Sequence, residues 1–191
     1  KWARDGEVGT YVFTSSTSVY PQTGRRLVDE TASSDGVSEK GGLLLAAEQL
    51  GFSSGQGIGR SFILRLAGLY GPDRHLFLDS VRNGETQASD GDRILNLIHR
   101  DDAVSAIFAV LQSGEGNIGR IYNVSDGNHS SRAEIAEWLA EKLGVDAPSF
   151  AGSDGSDASN RKISNDRIRD ELNWTPVYSS FREGYNSILE S

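Results

Sequence analysis

Apolar and polar positions alternate along this chain in blocks that read as strands and helices in turn. Gly9 to Ser16 (GTYVFTSS) is short and rich in β-branched and aromatic residues, which predicts a buried strand. Tyr20 to Ser38 is polar and turn-rich and reads as loop. The Leu- and Ala-rich stretch Glu39 to Leu50 predicts a helix, weakened in its first turns by Gly41 and Gly42. Ser53 to Gly59 reads as loop. Ser61 to Leu69 (SFILRLAGL) is almost continuously apolar, the pattern of a parallel strand covered on both faces. Leu76 to Val81 reads as a short helix and Ile94 to Ile98 as a short strand. From Asp101-Asp102 a helix runs to about Leu111, with Val104, Ile107, Phe108 and Leu111 forming one apolar stripe. Arg120 to Val124 is another strand. Ser131-Arg132-Ala133-Glu134 is a capping box, and Ile135, Trp138, Leu139 and Leu143 follow it on one helical face. Ser149 to Asn160 reads as a flexible loop and Asn165 to Leu172 as a helix. Ser180-Phe181-Arg182-Glu183 is a second capping box, opening a last helix to Leu189.

Strand, helix, strand, then mixed elements with a helical tail implies an α/β fold with a parallel sheet. Three parallel strands are too few for a doubly wound sheet buried on both faces, so the pattern implies that something completing the sheet lies outside this chain. The chain also begins Lys1-Trp2-Ala3 and contains no Met, which reads not as a translational start but as a processed product, an expressed piece or an incomplete sequence.

Composition narrows the function classes. Apolar residues make up 37% and charged residues 24% of the 191, the balance of a globular protein. No run approaches a membrane span, and no signal peptide opens the chain. The absence of cysteine excludes a disulfide framework or thiolate metal site and fits a cytoplasmic protein. A net charge of -8 argues against nonspecific nucleic-acid binding, which needs a basic face to release counterions.

Several stretches together resemble one family. Tyr11 to Tyr20 (YVFTSSTSVY) resembles the strand and loop that place the active-site serine in extended short-chain dehydrogenases, with Asp29-Glu30 following in that loop. Leu64 to Pro72 (LRLAGLYGP), Asn96 to Val104 (NLIHRDDAV), Arg120 to Asp126 (RIYNVSD), Arg161 to Asn165 (RKISN) and Leu172 to Pro176 (LNWTP) match later elements in order. The chain therefore resembles the C-terminal portion of an extended or atypical short-chain dehydrogenase/reductase of the NAD(P)-dependent epimerase/dehydratase type. That resemblance implies the remnant of a Rossmann-type doubly wound parallel sheet with a smaller mixed substrate lobe. Residues 1–127 would belong to the Rossmann-like part, with a lobe insertion at about 70–98, and residues 128–191 to the lobe.

The resemblance also implies roles. Ser16 would be the catalytic serine that hydrogen-bonds the substrate oxygen. Thr14, Ser15, Leu66 and Gly68 would lie along the cofactor, Gly68 serving either close approach of the nicotinamide or packing. Thr17, Arg74 and His99 would line the substrate cleft. Arg74 would clamp a phosphate there, and His99 would make either a structural hydrogen bond or a cleft contact. Asp101 and Asp102 read as helix caps rather than metal ligands, so no metal is expected. Trp138 and Trp174 read as core anchors.

Two departures stand out. No glycine-rich phosphate turn follows a first strand; by the family pattern roughly 90 residues carrying it would lie upstream. The family's Tyr-x-x-x-Lys pair falls on Lys40 and Leu44, so Lys40 stands as the candidate proton donor, with Tyr20 a lesser one. A subgroup of atypical members shares this loss. The expected function is an NAD(P)-dependent epimerase, dehydratase or reductase acting on a nucleotide-sugar or similar polar metabolite. The cofactor, NAD or NADP, would be held through the other half, and a homodimer is an open assembly. The alternative is a non-catalytic dinucleotide-binding sensor or scaffold of the same fold.

Overall fold

Parallel pairing of the three apolar runs makes the central sheet. The computed structural model describes residues 8–53, 58–87, 90–114, 119–151 and 159–190. Strand β1 (Val8–Ser16), β3 (Ile58–Leu66) and β6 (Arg120–Val124) lie in the order β1-β3-β6, all parallel. Their register aligns Ser16 with Leu66 and Leu66 with Val124, so the carboxyl ends of all three strands finish on one side. Two small parallel pairs flank the sheet: β2 (Arg26–Val28) with β7 (Arg161–Ile163), and β4 (Gly68–Tyr70) with β5 (Leu97–His99). The helices are α1 (Glu39–Ser53), α2 (Leu76–Arg82), α3 (Arg100–Gln112), α4 (Arg132–Leu143), α5 (Asp166–Leu172) and α6 (Phe181–Leu189). This is the α/β architecture with a parallel sheet that the alternating pattern implies, and the Rossmann-type sheet that the resemblance implies. Among the described residues β1 is an edge strand of the sheet.

Side-chain alternation along the strands sends each face to a different helix. Phe62 and Leu64 of β3 and Tyr122 and Val124 of β6 pack against Ala103, Ala106 and Val110 of α3, with Trp174 closing this core. Each such fully buried large apolar side chain contributes about 1.5–3 kcal/mol. The opposite face carries Ser15 and Arg65 and is covered by α1, through Glu48. A second core gathers Tyr70, Leu78, Val81, Ile135, Leu139, Phe181 and Tyr185 from β4, α2, α4 and α6.

The structure corrects several local expectations. The run Ser61 to Leu69 is two strands, β3 ending at Leu66 and β4 beginning at Gly68, because the Ala67 N–H turns to the Val124 carbonyl and the Gly68 N–H to the Asn96 carbonyl. The strand expected over Ile94 to Ile98 is β5, Leu97–His99; Ile94 makes only an isolated bridge to Ser131. The expected loop Tyr20 to Ser38 contains β2, paired with a distant partner. Most of the stripe on α3 faces outward: Val104, Phe108 and Leu111 are exposed and Ile107 is partly buried against the core, while Asp102, Ala103, Ala106 and Val110 are buried. Small alanines let the helix approach the sheet closely, and that geometry overrides the larger apolar residues. Residues 54–57 and 152–158, within the two expected loops Ser53 to Gly59 and Ser149 to Asn160, lie outside the described residues.

Candidate functional site at the carboxyl ends of β1 and β3

Ser16 ends β1 half-buried and caps a short 3-10 turn, Thr17–Val19. Its Oγ accepts the Ser18 N–H at 3.1 Å. That bond uses a lone pair and leaves the hydroxyl hydrogen available to a ligand. Across the register lies Leu66, partly buried, followed by exposed Gly68. A Cβ at position 68 would stand 3.0 Å from the Asn96 carbonyl, so glycine here permits the β4–β5 pairing.

A cavity of about 290 Å³ opens from Gly68 and is lined by Arg74, His75, Phe77, Leu97 and Arg132, among others. Arg74 is exposed, with Nε donating to the Leu69 carbonyl at 3.2 Å. Arg132, at the start of α4, lies over the Phe77 ring at 5.0 Å. Arg132 was missed from the sequence because it sits inside a capping box, where its neighbours Ser131 and Glu134 draw the assignment. Ser131 does cap the helix, accepting from the Glu134 N–H, but the Glu134 carboxylate pairs with Arg182.

Beneath Ser16 runs a buried polar chain. Ser15 donates to Glu48 at 2.6 Å, and Arg65 grips both Glu48 oxygens, Nε at 3.0 Å and Nη2 at 2.6 Å. Arg65 Nη1 then reaches the Tyr20 hydroxyl, which donates to Asn123 Oδ1, both at 2.8 Å. The Ser15 hydroxyl is therefore committed to the α1 side, while exposed Thr14 belongs to the other face. Tyr20 is buried, and burial pushes its phenol above its ordinary pKa. A phenol held this way is no proton donor to a cleft. Lys40 is exposed in the first turn of α1, and Leu44, at the position of the family lysine, packs onto the Val19–Tyr20 core.

His99 makes a structural hydrogen bond through Nδ1, while its Nε2 is buried without a hydrogen-bond partner among the described residues. It is buried, and burial holds its pKa below the ordinary value, so Nδ1 accepts the Asp101 N–H at 3.3 Å and caps α3. Asp102 is not a cap: it is buried and accepts the backbone N–H groups of Val177 (2.7 Å) and Tyr178 (3.0 Å), tying the tail to α3. Trp174 is buried with its indole N–H on Ser105, and Trp138 packs edge-on against Phe181. Among the described residues no group of three or more His, Cys, Asp or Glu could hold a metal, and no helix is long and apolar enough to cross a membrane.

No glycine-rich turn leads from a strand into a helix N-terminus among the described residues, so nothing described cradles a dinucleotide's diphosphate. Thr14, near the carboxyl end of β1, and Gly68, which opens β4 just after β3, are both exposed.

The family model described as NAD dependent epimerase/dehydratase matches residues 1–125. The chain belongs to that family. It is 36% identical over 168 residues to Protein YeeZ of Escherichia coli (strain K12), covering 87% of this chain and 58% of YeeZ. The chain thus spans less than two thirds of that relative's length. Among solved structures, a functionally unknown conserved protein from Silicibacter pomeroyi superposes with a TM-score of 0.84 at 25% identity, over 95% of this chain and 66% of that one. MoeE5 in complex with UDP-glucuronic acid and NAD superposes with a TM-score of 0.83 at 21% identity, over 95% and 64%. These two structures share the fold of this chain.

Proposed function

We propose that this chain supplies the substrate-facing part of an NAD(P)-dependent epimerase, dehydratase or reductase acting on a nucleotide-sugar or similar polar metabolite. The observation that carries the reading is Ser16: a half-buried serine at the carboxyl end of β1, its hydroxyl hydrogen available, opposite Leu66 in the β1–β3 register. Ser16 would orient the reacting oxygen, with Thr17 beside it and Arg74 at the cavity rim to meet an anionic group. Thr14, Leu66 and Gly68 would flank the nicotinamide, which, when bound, supplies hydride transfer. Lys40, or a water, would take the place of the family tyrosine as proton donor.

The rest of the protein would complete the sheet along the edge of β1 and hold the dinucleotide diphosphate. The outward residues Val104, Phe108 and Leu111 of α3 give that part an apolar surface to cover. A homodimer would use the outward face of α1, where Leu43 and Leu50 are exposed. The absence of a tyrosine from α1 favours a second reading, a dinucleotide-binding sensor that does no chemistry.

Incubation of the complete protein with NAD or NADP and a panel of nucleotide-sugars tests the choice. Change in nicotinamide absorbance or an epimerised product supports the enzyme. Tight cofactor binding with no turnover across the panel selects the sensor.

A further inference from the structure

A row of register partners crosses the sheet one step before its carboxyl ends: Ser15 of β1, Arg65 of β3 and Asn123 of β6. Two residues from outside the sheet join their side chains. Glu48 of α1 accepts from Ser15 and from both arms of the Arg65 fork. Tyr20, at the end of the turn that Ser16 caps, accepts from Arg65 and donates to Asn123. All five side chains are buried.

Stability alone does not call for an ion pair at this spot, since well-packed apolar side chains of similar volume hold such a position as well or better. A bidentate pair adds direction, because the planar guanidinium fork meets both carboxylate oxygens in one orientation. The orientation it sets is that of α1. Lys40, Leu44 and Glu48 are spaced four residues apart and share one stripe of the helix. Glu48 is fixed under Ser15, Leu44 packs on the Val19–Tyr20 core, and Lys40 emerges exposed in the first turn. Rotating the helix by one residue, about 100°, would carry that stripe off the Ser16 turn.

Gly41 sets the distance where the pair sets the rotation. A Cβ there would overlap Val37 and stand 3.2 Å from the Ser18 carbonyl oxygen. The first turn of α1 therefore rests against the residue whose N–H holds the Ser16 hydroxyl.

We propose that Glu48, Arg65 and Gly41 are positioning residues that fix the Lys40 turn of α1 against the Ser16 turn. Their effect on chemistry passes through Ser16 and Lys40 and rests on the roles proposed for those two.

The double variant Glu48→Leu, Arg65→Met of the complete protein tests this, because it separates stability from direction. Its urea midpoint should return most of the way to wild type. Its kcat should still fall about tenfold or more at nearly unchanged KM, the cost of misaligned groups. A pair that only stabilises would give back kcat together with the midpoint. Gly41→Ala, which leaves the buried pair intact, should lower kcat in the same way and keeps the test decisive if the double variant fails to fold. Amide NMR of the complete protein reads the same geometry without turnover. In the double variant the Lys40 signal, about two helical turns from Glu48, should shift; in Gly41→Ala the Ser16 signal should shift. A kcat within about twofold of wild type in either variant, or Lys40 and Ser16 signals that stay in place, would overturn the proposal. A complete protein that turns over no nucleotide-sugar would count against the enzyme, and the amide signals alone would then decide the positioning.

Discussion

The hydroxyl of Tyr70 occupies the space that a Cβ on Gly184 would fill. Tyr70, at the end of β4, is buried against Tyr185 and His99, and its hydroxyl has no hydrogen-bond partner among the described residues. The glycine in α6 thus seats that helix on the end of β4. Gly184→Ala should destabilise the chain by about 1–2 kcal/mol, overpacking outweighing the gain in helix propensity. Tyr70→Phe, which removes a buried unpaired hydroxyl, should stabilise by about 1 kcal/mol but recover only part of the Gly184→Ala loss, because the ring carbons Cζ and Cε2 would still lie 2.6 and 2.9 Å from the new Cβ. Urea denaturation of the two single variants and the double variant measures the coupling; strict additivity would refute the contact.

Glu48 and Arg65 form a buried bidentate pair under the Ser15–Ser16 corner. Arg65→Met strands a buried carboxylate and should cost about 3–5 kcal/mol. Replacing both, Glu48→Leu with Arg65→Met, should recover a large part of that. Denaturant midpoints of the single and double variants check the order.

Asp126 gives the chain a pH signature. Burial, with Asp102 and Glu183 adding negative charge nearby, pushes its carboxyl up to about 8. The folded state therefore keeps a proton that the unfolded chain releases near pH 4. The sign is that of a raised acid: the stability contribution of Asp126 is fully present below pH 4 and is lost as pH rises towards 8. Asp126→Asn preserves an acceptor for the Asn128 N–H and should flatten the stability profile between pH 4 and 8. Melting temperatures of wild type and variant across that range provide the comparison; parallel profiles would show that Asp126 is not the titrating group.

Lys40 separates two roles. If it donates the proton, Lys40→Ala in the complete protein should lower kcat strongly with little change in KM. If it only attracts an anion, KM alone should rise. Steady-state kinetics on an active substrate distinguishes them.

Local pattern was enough for the elements that carry the cleft. The run ending at Ser16 and the strand Arg120–Val124 are short apolar segments bounded by polar residues, and their sequence order fixes the parallel pairing. The outward stripe of α3 was not readable, because periodicity reports an amphipathic helix without saying which face the sheet selects. Here Ala103 and Ala106 are selected for closeness, and Asp102 is buried because two N–H groups some 75 residues later meet it. The same limit hid the Ser15–Glu48–Arg65–Tyr20 chain. It joins residues far apart in sequence and leaves no spacing that a single segment could show.

The central claim is that the hydroxyl of Ser16 touches the reacting oxygen of the substrate. Its direct test is kcat of Ser16→Ala in the complete protein. Loss of one transition-state hydrogen bond should lower kcat by about 10²- to 10³-fold, with cofactor affinity and melting temperature close to wild type. An unchanged kcat would contradict the account and remove Ser16 from the chemistry.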